Sequence, residues 1–143
     1  MKRYIKSAVR GILEEDYTTQ SRLATQSVYP RELTELANSS DESVRYDVAA
    51  NPSTSAEVLV KLSQDKDPDV QYKVALNPNT PVDCLREMFE QSQFSVDGAL
   101  AHNPNTPTDI LIELYRSYGL RQDDYYFIRR TLEKRGVIKE KSK

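Results

Sequence analysis

Apolar residues recur along this chain in small sets spaced three to five apart, and the sets themselves recur every 26 residues. Val44, Val48 and Ala49 are repeated by Val70, Val74 and Ala75, and again by Val96, Leu100 and Ala101. A second set, Leu33 with Leu36, is repeated by Leu59 with Leu62, Leu85 with Met88, and Leu111 with Leu114. Spacings of three and four put side chains on one helical face, so each unit predicts two short amphipathic helices. No stretch alternates convincingly at period two, and the chain has only 4 Gly. The pattern therefore predicts an all-helical protein. Helices of two to three turns do not survive alone in water, so stacking must hold them.

The polar residues mark where the helices start and stop. Asn51-Pro52, Asn77-Pro78 and Asn103-Pro104 fall at the same offset of 26. A proline disfavours helical backbone at the residue before it and cannot donate a hydrogen bond, so the first helix of each unit ends there. Asp67 is placed to cap the next first helix, with Pro68 at its first position and Asp69 at the positive end of its dipole. Thr54-Ser55-Ala56-Glu57 reads as a capping box. Thr80-Pro81-Val82-Asp83 and Thr106-Pro107-Thr108-Asp109 read as a Thr cap followed by an acid. Thr25-Gln26 stands where a further Asn-Pro would fall. The third unit departs, with Gln93, Phe94, Asp97 and Gly98 in place of the acid, Arg and Tyr found elsewhere. Beyond residue 115 the register slips: Ile128 to Leu132 resembles Val44 to Val48 across an insertion near Tyr118-Gly119-Leu120. Val9 to Leu13 is a weaker echo at the front.

The string Val44-Arg45-x-x-Val48-Ala49-x-Asn51-Pro52-x-Thr54, followed by Leu59-x-x-Leu62 and Asp65-x-Asp67, resembles the variant leucine-rich repeat (LRV). That family is related in architecture to the HEAT and armadillo helical repeats. The resemblance covers about residues 25–115. It implies alternating α and short 3-10-like helices in a curved right-handed superhelix. The fold expected is therefore an all-α, right-handed α-solenoid of about four 26-residue LRV/HEAT-like helical repeats with helical end caps. Residues 1–24 would form the N-terminal cap, 25–117 the core repeats, 118–137 the C-terminal cap helix and 138–143 a basic tail. One type of LRV protein carries a cysteine cluster for an iron–sulfur centre ahead of its repeats. This chain has a single cysteine, Cys84, so no cofactor and no metal is expected.

Composition narrows the function. Hydrophobic residues make up 38% and charged residues 29%, which fits a thin array better than a thick globule. The longest apolar runs are too short to span a bilayer, and no apolar segment follows the basic start. A cytoplasmic protein with no membrane partner is the simplest expectation. The net charge of −2 conceals an asymmetry: residues 1–10 and 116–143 carry 13 Lys and Arg against 4 Asp and Glu, while the remainder carries 7 against 18. An acidic body with basic ends attracts different partners at different places.

Repeated surface positions are where such an array would keep a binding site. Two rows on the second helices, Arg31/Glu57/Asp83/Asp109 and Glu35/Lys61/Glu87/Glu113, form an acidic ridge. It reads either as a docking strip for a basic protein or as caps and a solvated face. A row of Arg10, Arg45, Gln71, Asp97 and Arg129 runs beside Tyr46, Tyr72 and Arg130. Arg and Tyr are enriched at binding hot spots, but the tyrosines could equally pack between units and Arg45 could pair with Asp65 or Asp67. The partner-binding candidates are thus Arg45, Tyr46, Gln71, Tyr72, Glu87, Glu113, Arg129 and Arg130. His102, the only histidine, and Cys84, aligned with Val58 and Ile110, read as packing residues, so no catalytic residue is expected. The reading is a non-catalytic protein-protein interaction module of adaptor, immunity or inhibitor type. Its alternative is nucleic-acid binding through the basic ends, where Tyr125, Tyr126 and Phe127 could stack on bases. No small-molecule substrate is expected.

Overall fold

The computed structural model describes residues 11–91, 96–117 and 121–139. Arg10, Gln93, Phe94, the insertion at 118–120 and the last lysines, Lys141 and Lys143, lie outside the described residues. Among those described, a short 3-10 turn (Ile12–Glu14) precedes nine α-helices and there is no strand. They are α1 (Tyr17–Gln26), α2 (Pro30–Leu36), α3 (Glu42–Ala50), α4 (Ala56–Leu62), α5 (Pro68–Leu76), α6 (Val82–Gln91), α7 (Asp97–His102), α8 (Thr108–Arg116) and α9 (Gln122–Lys134). Both helices of each unit are α-helical, whereas the family resemblance implied an alternation of α and short 3-10-like helices.

Each odd-numbered helix packs on the next: α1 on α3, α3 on α5, α5 on α7 and α7 on α9. The even-numbered helices lie against this row, with α2 on α1 and α3, α4 on α3 and α5, and α8 on α7 and α9. The core between the two sets contains the residues that the 26-residue pattern selects. Val44, Val70 and Val96, then Val48, Val74 and Leu100, are buried on the odd-numbered helices. Leu33, Leu59, Leu85 and Leu111 are buried on the even-numbered ones, and Ile128 and Leu132 close the end. Each helix is too short to be stable without this burial.

Helix starts follow the sequence in part. The Asp67 carboxylate accepts from the Asp69 and Val70 amides, with Pro68 at the first position of α5. The threonines behave otherwise. Thr54, Thr80 and Thr106 are buried and do not cap the helix that follows. Their hydroxyls turn back and donate to the Val48, Val74 and Leu100 carbonyls at 2.6, 2.6 and 2.7 Å. They therefore add a second donor to last-turn carbonyls that the Asn51, Asn77 and Asn103 backbone amides also reach. Ser55 is the residue that caps α4, and no side chain caps α8. The third unit loses the Asp cap as well, and α7 is only 6 residues long.

The asparagines before the prolines hold one unit to the next. Asn51, Asn77 and Asn103 are buried, each with nearly the same extended backbone. The Asn77 carboxamide donates to the Ala49 carbonyl at 2.8 Å and the Asn51 carbonyl at 3.1 Å, both one unit earlier. Asn103 does the same to Ala75 and Asn77, at 2.7 and 2.9 Å. Each carboxamide oxygen accepts from the backbone N–H two residues on, at Ser53, Asn79 and Asn105. At the front, Asn51 donates to Ala24 and Ser27, so Ser27 rather than Thr25 takes the earlier place in the series. At the back, Arg135 donates to the Pro104 and Thr106 carbonyls, as Asn79 does to those of Pro52 and Thr54.

Removing the Asn77 carboxamide leaves the Ala49 carbonyl without a donor and takes one of two donors from the Asn51 carbonyl, which keeps the Thr54 N–H. A buried group left unpaired costs about 1–3 kcal/mol. Asn77→Ala should therefore destabilise the chain by roughly 3 kcal/mol, and Asn79→Ala, whose side chain is exposed, by less than about 1 kcal/mol. Urea denaturation of the two variants beside the parent measures both. Equal costs would refute the role given to Asn77.

Candidate functional site

Stacking at a fixed register places Tyr46 of α3 beside Tyr72 of α5, and Tyr17 at the start of α1 joins them along one groove. Its volume is about 730 Å³. Tyr46 and Tyr72 are half-buried and rest on the hydrophobic core, while Tyr17 is 51% exposed. Glu42, Asp47, Asp67 and Asp69 supply carboxylates around the rings, and among the described residues Lys73 is the single basic side chain lining the groove. Asp67 is occupied as the cap of α5, and Asp47 accepts from Ser21 at 2.6 Å. Glu42 and Asp69 are exposed on first turns, where the helix dipole favours acids. The Lys73 ammonium lies 5.0 Å from the centre of the Tyr46 ring.

Arg45 and Gln71, immediately before these tyrosines, turn inward instead. Arg45 is buried and grips Asp65 through Nε and Nη2 at 2.7 and 3.1 Å, while Nη1 donates to the Ser39 and Ser40 carbonyls. Gln71 donates to the Asp65 carbonyl at 2.6 Å. Both side chains are engaged within the framework that carries the tyrosines.

The acidic ridge is divided by the structure. A second depression of about 530 Å³ lies between α6 and α8, with Phe89, Ile110 and Leu114 among its lining. Arg86 crosses it to Asp109 at 2.6 and 3.2 Å, and Glu113 lines the same depression. Glu87 is exposed outside that lining. Exposed ion pairs of this kind add little to stability.

On α9, Arg129 pairs with Glu133 one turn on at 2.9 Å, and Arg130 is exposed. Tyr125 stacks on Tyr115 with ring centres 4.5 Å apart. His102 bonds through Nε2 to the Asp124 carboxylate at 2.9 Å, with its ring 4.4 Å from that of Phe127. These contacts dock α9 on its neighbours. Cys84 is buried, and burial pushes its thiol up, away from the reactive thiolate.

Tyr17, Glu42, Asp69 and Lys73 were not singled out from the sequence. Tyr17 lies outside the repeating frame, Asp69 reads from the sequence only as a first-turn acid, and Glu42 carries no signal of its own. Lys73 could have been found, because it shares a unit position with Asp47 beside the tyrosine row. Among the described residues, no helix is long and apolar enough to cross a membrane, and no three His, Cys, Asp or Glu side chains are grouped to hold a metal ion. No protein-family model matches the chain, and neither a curated protein nor a solved structure shows significant similarity to it.

The Arg45–Asp65 pair makes stability depend on acid. Burial by itself would raise the Asp65 carboxyl, but hydrogen bonds from Arg45 and the Asp67 amide outweigh it, and the net shift is downward. A carboxyl whose folded value lies below its unfolded one stabilises the fold above about pH 4 and loses that contribution as pH falls through the folded value. Asp65→Asn should cost roughly 3 kcal/mol at neutral pH, since it leaves a buried guanidinium underpaired. Its stability should also fall less steeply than the parent's below about pH 4, followed by urea midpoints against pH. Parallel acid limbs would contradict this assignment.

Proposed function

We propose that this chain is a non-catalytic protein-interaction module that receives a basic segment of a protein partner in the groove of Tyr17, Tyr46 and Tyr72. In this reading it is a right-handed α-solenoid of about four 26-residue units with helical end caps, resembling the LRV type and working in the cytoplasm. The groove carries the argument. Rings anchored on the core offer broad contact area at little entropic cost, and the surrounding carboxylates match Arg and Lys. Stacked helices hold the two tyrosines of α3 and α5 at one spacing before any partner arrives, which lowers the ordering cost of binding.

The alternative, nucleic-acid binding through the basic ends, has less support. Arg129 and Arg135 on the C-terminal end are engaged within the chain, and Tyr125 is stacked on Tyr115. The acidic body would also repel a long polyanion.

A lysine- and arginine-rich peptide of about ten residues, titrated by fluorescence anisotropy at about 50 mM salt, tests the reading. Reversing Glu42 and Asp69 to Lys should weaken binding roughly tenfold or more, whereas reversing Glu87 and Glu113 should change it by less than about twofold. Equal losses from both pairs would mean diffuse attraction to the acidic body and would reject the groove. Tighter binding of a single-stranded oligonucleotide than of the peptide would favour the alternative.

A further inference from the structure

The groove already contains one cation. Lys73 reaches from α5 to the face of Tyr46, with its ammonium 5.0 Å from the ring centre. No carboxylate among the described residues closes an ion pair with it, although Asp47, Asp67 and Asp69 line the same groove. Stacking does not require a lysine there. The same unit position is Asp47 in α3 and Ala99 in α7, and both neighbouring units pack in the same row. A lone cation–π contact at a half-exposed site is weak, so it can be exchanged.

We propose that Lys73 is a resident stand-in for the partner's cation: it covers the Tyr46 face in the free protein and is displaced when an arginine or lysine of the partner takes that place. This rests on the groove being the docking site. The occupant is an extended protein segment with a basic side chain over Tyr46, flanked by the carboxylates of Asp47 and Asp69. Charge complementarity selects it. Apart from Lys73, every charged group lining the groove among the described residues is acidic, so the guest gains from the same field that tolerates Lys73. Displacement frees a flexible side chain to solvent and partly offsets the cost of ordering the guest.

The inference has an unusual sign. Truncating a side chain that lines a binding groove normally weakens binding, whereas vacating Lys73 should strengthen it. With the same Lys/Arg-rich peptide, Lys73→Met should bind about fivefold more tightly, because the ring is free and the repelling charge is gone. Lys73→Arg should stay within about twofold of the parent or weaken, since guanidinium holds a ring at least as well. Lys134→Met makes the same charge change at the end of α9, away from this groove, and should alter affinity by less than about twofold.

A second readout separates displacement from simple repulsion. In the free protein the Lys73 Cε–H signals should carry the ring-current shift of Tyr46, and peptide saturation should return them to the values of a solvated lysine. If the peptide binds but Lys73→Met binds no better than the parent or than Lys134→Met, the stand-in role is wrong and the groove survives. If the Lys73 signals keep their shift in the saturated complex, the role is likewise wrong. If the peptide fails to bind the parent and Lys73→Met alike, the groove reading itself falls, and this inference with it.

Discussion

A buried asparagine that spends both amide hydrogens on the previous unit is the interaction on which the arrangement of this protein depends. Helix ends leave their last carbonyls without intrahelical partners. Where helices of nine residues or fewer follow one another closely, such ends are frequent, and burying them unpaired would unfold the chain. Asn77 and Asn103 remove the problem by donating to two carbonyls one unit back while accepting from their own chain two residues on. Few side chains satisfy all three demands from that backbone position. Aspartate has no donor, and glutamine must order a further torsion to deliver the same group. The proline that follows keeps the asparagine extended, so its carboxamide leaves the helix axis and reaches the neighbour.

The same bonds decide what the surface can do. Because the Asn77 and Asn103 junctions repeat one geometry, residues 26 apart become neighbours across this part of the row of helices, and a site can be composed by choosing side chains at a single position. The positions divide by what lies beneath them. Arg45 and Gln71 face the loops that enter their own helices and are used up there. One residue further round the helix, Tyr46 and Tyr72 keep one face on the core and one toward the groove. A shift of about 100° around the axis is therefore the difference between framework and candidate site.

The helices and their core were legible in the sequence because burial imposes a period and the period survives substitution. Leu33, Leu59, Leu85 and Leu111 identify themselves by spacing alone, and all four are buried. The prolines were legible for a similar reason, since their backbone effect is local. The threonines after them were misread. A Thr or Ser before an acid is a good capping signal, but here the hydroxyl finds a nearer acceptor six residues back, which no local rule weighs. The asparagine bridges were hidden for a stronger reason: their acceptors are backbone carbonyls, which leave no mark on residue identity. Tyr17 was hidden because α1 ends out of step, with Ser27 in the place that the 26-residue frame assigns to Thr25.

The C-terminal end shows how such a series is closed, and why its basic residues need not signal a polyanionic ligand. A last unit presents open carbonyls with no following asparagine to take them. Arg135 supplies the missing donors, reaching the Pro104 and Thr106 carbonyls and the Thr108 hydroxyl from the end of α9. A guanidinium serves because its long side chain carries five donors, enough to reach three acceptors at once. Docking of α9 is completed on the other side by Asp124. It meets His102 and occupies the space that a side chain at Gly98 would contest, since a Cβ there would come within 3.2 Å of its carboxylate. The unit that lost its cap, its Arg and its Tyr is thus the one that receives the closing helix. Its departures from the repeat answer a different neighbour, which places the tyrosine groove in the units that kept the pattern.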